Sequence, residues 1–94
     1  MKMAKDIEIG QFVRAIAGRD KEKVFITIDK IGVDYLLLVD GDLRKIESPK
    51  KKKVKHVSKL DFISIDIVKK LKEGKKVTNL MIRKEIEKIG VTNI

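Results

Sequence analysis

From Ile9 to Ile31 the chain carries two apolar runs on either side of one charged stretch, Gly18-Arg19-Asp20-Lys21-Glu22-Lys23, which has no apolar side chain to bury. The pattern predicts two antiparallel strands, over residues 11–17 and 24–31, joined by a tight turn. In the first, Val13, Ala15 and Ala17 share one face, and Arg14 interrupts the other between Phe12 and Ile16. In the second, Val24, Ile26 and Ile28 alternate with Phe25, Thr27 and Asp29, and the β-branched content favours a pleated strand. Glycine and aspartate at the turn suit a backbone that reverses sharply. A lone hairpin is only marginally stable, so the remaining chain must supply more strands or a covering layer.

It does so in order. Gly32-Val33-Asp34 predicts a turn, and Tyr35-Leu36-Leu37-Leu38-Val39 a short buried strand. Asp40-Gly41 is a strong hairpin signal. A fourth strand is expected over residues 43–48, and Pro49, lacking an N–H, marks an exit from the sheet. Lys50, Lys51, Lys52 and Lys53 then read as a basic loop, and residues 54–60 as a last short strand or helical turn. The lead-in, residues 1–9, is expected to fray. Four to five short strands in so few residues predict a mainly β fold, a small SH3-like barrel.

After Leu60 the period changes. Ser64 is a candidate N-cap with Asp66 in the first turn and Gly74 as the stop, and Ile65, Val68 and Leu71 mark one helical face. Thr78 or Asn79 begins a second helix ending at Gly90, with Ile82, Ile86 and Ile89 on one side. The expected organisation is a barrel over residues 1–60 followed by a pair of short α-helices over residues 61–94.

Several residue identities go beyond patterning. Gly10 before the first strand, Gly18-Arg19-Asp20-Lys21 at the turn, Asp40-Gly41-Asp42-Leu43-Arg44-Lys45, the lysine run and Lys55-His56-Val57 together resemble KOW-domain proteins. The likeness, over roughly residues 7–60, is greatest to the KOW-type large-subunit ribosomal proteins of archaea and eukaryotes. It implies a KOW barrel, loops that contact RNA, ribosomal RNA as the partner and the large subunit of the ribosome as the setting. One position departs from the motif: where the family usually has a second glycine, this chain has Glu22, which adds bulk and negative charge to the turn.

Charge supports an anionic partner independently. The 94 residues carry a net charge of +9, and residues 44–59 alone hold eight basic residues against one acidic, Glu47. So local an excess favours a binding face over general solubility, with nucleic acid first and an acidic protein or anionic lipid second. The candidate RNA-binding residues are Arg19, Lys21, Lys23, Arg44, Lys45, Lys50, Lys51, Lys52, Lys53, Lys55 and His56, with Gly18 and Asp20 shaping the turn. Phe12 and Phe25 read as core and Phe62 as packing for the helices, leaving Tyr35 as the one aromatic placed to stack on a base. Shape and backbone recognition of structured RNA is therefore expected. The rival reading is a protein-interaction adaptor of the transcription or translation machinery, docking through the barrel or the apolar helix faces.

Other classes find little support. With no cysteine there is neither a disulfide framework nor thiolate chemistry. No apolar run approaches a membrane span, and residues 1–6 lack a signal-peptide core, so a cytoplasmic protein without a membrane partner is expected. His56 is the sole histidine and has no acidic pair nearby in sequence, which argues against an enzyme. Asp40 and Asp42 resemble part of a calcium loop, but Arg44 and Ile46 stand where oxygens should continue. No glycine-rich phosphate loop is present, so neither metal, cofactor nor small-molecule substrate is expected.

Overall fold

A computed structural model describes residues 3–90. Five strands, β1 (Gln11–Ala15), β2 (Val24–Ile31), β3 (Tyr35–Val39), β4 (Lys50–Lys53) and β5 (Val57–Ile63), form one antiparallel sheet in the order β4-β3-β2-β1-β5. Helices α1 (Ile65–Lys72) and α2 (Asn79–Ile89) follow. Among the described residues no helix is long and apolar enough to cross a membrane. The strand alternation read from the sequence decides which residues face which layer. On one face Val13, Ala15, Phe25, Leu36 and Leu38 are buried with Ala4, Ile7, Val54 and Val57. On the other, Phe12, Val24, Ile26 and Val39 are buried with Ile67, Val77, Ile82 and Ile86 from the helical segment.

The sheet does not close into an SH3-like barrel, contrary to expectation. Its terminal strands, β4 and β5, lie at opposite ends of the strand order and share no ladder. A 3-10 turn (Val54–His56) carries the chain between them and drops Val54 into the first core. Closure is unnecessary because both faces are already covered, one by the helices and the other by this crossover and the lead-in. The lead-in therefore does not fray over its described part. A 3-10 turn (Ala4–Asp6) seats Ala4, whose N–H donates to the Val33 carbonyl at 2.8 Å, and Ile7. Residues 1, 2 and 91–94, included in the expected domain ranges, lie outside the described residues.

The fourth strand also falls elsewhere than expected. Residues 43–48 are loop, because the amides a strand would need are already engaged. Asp40 Oδ1 accepts from the Asp42 and Arg44 amides at 2.9 and 2.8 Å, and Asn79 Oδ1 accepts from the Ile46 amide at 2.8 Å. The four lysines instead form β4, paired to β3 in the register Tyr35 to Lys53 and Leu37 to Lys51. Lysine is a common residue on sheet edges, where its charge opposes pairing with another chain. The first strand stops at Ala15, two residues early, since the Ile16 amide turns to the His56 carbonyl at 2.9 Å.

Both helices begin where their caps predict: Ser64 Oγ accepts from the Ile67 amide and Thr78 Oγ1 from the Met81 amide, each at 3.2 Å. The buried α1 residue is Ile67, not Ile65, which is 70% exposed at the first helical position. Ser64 also donates to Glu85 of α2 at 2.6 Å, and Lys88 donates to the same carboxylate at 2.8 Å. Burial pushes the Glu85 carboxyl up, but these two hydrogen bonds outweigh it and hold the group below its ordinary value of 4.5. The Asn79 side-chain amide likewise holds Glu47 below 4.5. A carboxyl depressed in the folded state stabilises above its unfolded pKa, and that contribution is lost as pH falls through the folded value. Thermal melts are therefore expected to show Tm falling once pH drops below 4.5, with Glu85→Gln flattening that limb. An unchanged acid limb in the variant would contradict the Ser64–Glu85–Lys88 linkage.

Candidate nucleic-acid interface

Strand directions put loop 16–23, the 40–49 loop and the start of β4 at one end of the sheet, and the Gly32-Val33-Asp34 turn at the other. Asp20 and Arg44 tie the first two segments together: Asp20 is 7% exposed and its carboxylate accepts from the Arg44 guanidinium at 3.2 Å. The turn of residues 18–23 is held by the Lys21 amide on the Gly18 carbonyl and the Lys23 amide on the Asp20 carbonyl, at 3.2 and 2.9 Å. Gly18, at φ +82°, lets this turn fold against the Lys52 ammonium.

The candidate cations divide into distinct groups. Arg19, Lys21, Lys45 and Lys55 are exposed, while Lys23, Lys50 and His56 are half-buried. Arg44 is partly committed to Asp20. Lys52 is 8% exposed and its Nζ donates to the Ala17 carbonyl at 2.9 Å, so it braces the turn from beneath. Lys51 and Lys53 are exposed on the other face of β4, beside Tyr35 and away from the loop end in the case of Lys53. The sequence grouped the four lysines together. The pleat separates them, because alternate residues of a strand point to opposite faces. Among the described residues, none of Arg19, Lys21, Lys45 and Lys55 forms an ion pair, although the exposed carboxylates of Glu22, Asp42 and Glu47 stand in the same two loops and Lys45 acts electrostatically on Glu47.

Glu22 has φ +77°, the one positive value outside glycine among the described residues, and its amide donates to the Ala15 carbonyl at 2.8 Å. This is the position at which the sequence departs from the KOW motif, and the backbone here has the conformation that glycine adopts freely. A side chain in this region costs about 1–2 kcal/mol, partly offset by the greater freedom of glycine in the unfolded chain. Glu22→Gly is expected to leave Tm equal or a few degrees higher and to strengthen RNA binding by removing a carboxylate from the basic turn. A mobility-shift titration alongside thermal melts checks both; weaker binding with unchanged folding would remove this turn from the interface.

Asn79 and Arg83 were not legible as participants. Asn79 bridges the Ile46 amide and the Glu47 carboxylate, and the Arg83 guanidinium donates to the Gly41 carbonyl at 2.6 Å, clamping the 40–49 loop to α2. A groove of about 640 Å³ lies behind this loop, lined in part by Ile28, Leu37, Ile46, Leu71, Val77 and Lys76. The apolar helical residues Ile67, Ile82 and Ile86 are buried against the sheet, whereas Ile65 and Leu80 remain exposed. Asp40 spends one oxygen on two backbone amides, which accounts for its place beside Gly41 as turn chemistry.

No protein-family model matches the chain. Over 71 residues it is 28% identical to a Bacillus subtilis (strain 168) protein named "Putative ribosome-binding protein YbzG", an alignment covering 76% of this chain and 96% of that protein.

Proposed function

We propose that this protein is a non-enzymatic RNA-binding protein that associates with the ribosome, gripping ribosomal RNA of the large subunit through the basic loop end. The observation that carries the reading is the Asp20–Arg44 pair, which joins two loops distant in sequence and gathers Arg19, Lys21 and Lys45 at one end of the sheet. The likeness to a protein named for ribosome binding and the KOW-like residues of both loops support the same partner. Arginine can pair bidentately with phosphate, while each lysine acts as a movable point charge.

Sedimentation of the native protein in a lysate tests the proposal. Co-migration with the large ribosomal subunit, abolished by ribonuclease and by rising salt, is expected. With about five phosphate contacts, log K falls against log salt with a slope of roughly −3.5 to −4.5. Protein that remains at the top of the gradient in low salt, or a complex that survives ribonuclease, would overturn the assignment.

A further inference from the structure

On the face of β3 and β4 that Lys52 does not share, a second cluster runs from mid-strand towards the Gly32 end of the sheet. Tyr35 pairs in register with Lys53, and Leu37 with Lys51, so both lysines share a face with the tyrosine ring. Lys51 Nζ lies 4.6 Å and Lys53 Nζ 5.9 Å from the ring centroid. Neither lysine forms an ion pair among the described residues. β4 is an edge strand, Lys51 and Lys53 are exposed on it, and Lys52 is turned away to the Ala17 carbonyl.

We propose that Tyr35, Lys51 and Lys53 form a binding site for an unpaired nucleotide of an RNA strand, the base stacking on the ring and the two ammonium groups taking the flanking phosphates. This rests on the RNA-binding reading and adds to it a single-stranded contact separate from the loop end. Residues two apart on a strand sit about 6.4–6.8 Å from each other, comparable to successive phosphates along an extended strand. An exposed ammonium over an aromatic ring is held less strongly than a stacked base. An incoming base therefore displaces the lysines from the ring and leaves them free to pair with phosphate. An acidic peptide could satisfy the charges but offers nothing to the ring face, which favours RNA.

The chain has one tyrosine and no tryptophan, so its tyrosine emission reports from this point alone. Titration with an eight-nucleotide oligouridylate at low salt is expected to quench that emission saturably, whereas inorganic polyphosphate is not. Affinity measured by mobility shift should fall about ten-fold in Tyr35→Leu, persist in Tyr35→Phe, and fall similarly in the Lys51→Ala, Lys53→Ala double variant. Oligouridylate that binds without quenching, equally in all variants, would overturn the site while leaving binding at the loop end intact. Equal quenching by polyphosphate would overturn the stacking. Absence of binding to oligouridylate and to ribosomal RNA alike would overturn the site and the proposed function together.

Discussion

Gly41→Ala is expected to destabilise this fold strongly. Gly41 has φ +79°, and an added Cβ would meet the Asn79 carbonyl oxygen, with Arg83 Cγ at 2.9 Å and the Arg83 amide at 3.2 Å. The left-handed conformation alone costs an alanine about 1–2 kcal/mol, and forcing an extra methyl into a packed contact adds about 1–3 kcal/mol. The sum, about 2–5 kcal/mol, corresponds to a fall in Tm of at least about 10 °C for a domain of this size. Gly74→Ala is the matched control: it has φ +68° with no neighbouring atom within 4 Å, and so carries only the conformational term. Equal losses from the two variants would show that α2 does not press on the 40–49 loop. A larger loss at Gly41 would establish that the helical segment positions the loop carrying Arg44 and Lys45.

The second large effect separates lysines that are adjacent in sequence. Lys52→Ala is expected to lower stability by about 1–3 kcal/mol, removing both a charge-assisted hydrogen bond and a buried aliphatic stem. Lys51→Ala and Lys53→Ala should stay within about 0.5 kcal/mol, as exposed positions do. Lys52→Met, which keeps the stem and loses the bond to Ala17, should fall between. Denaturant titration of the four variants reads the difference, and identical midpoints would contradict the burial of Lys52. Replacing all four lysines together would confound folding with binding, because Lys52 also supports the turn that carries Arg19 and Lys21.

These two variants lie where reading from sequence and folded structure part company. β2 and β3 occupy the predicted residues, because period-two alternation and the Gly32 turn are local signals. Ser64, Thr78 and Gly90 mark the helix ends for the same reason: a cap and the amide it satisfies lie within three residues. The concentration of positive charge was equally visible, since charge belongs to the residue and not to its neighbours.

The chemistry of residues 40–53 depends on distant partners. Asn79 takes the Ile46 amide from 33 positions away, and Ala17 receives the Lys52 ammonium from 35 positions away. Those bonds exchange strand for loop over residues 43–48 and turn an apparent loop of lysines into an edge strand with one member buried. The open sheet has the same origin. Ile67, Ile82 and Ile86 cover one face, and Ala4, Ile7 and Val54 the other, so each face has a core without joining β4 to β5. Propensity, caps and charge reside in short windows of chain, whereas a buried neighbour or a donor's partner is assigned only when remote segments meet.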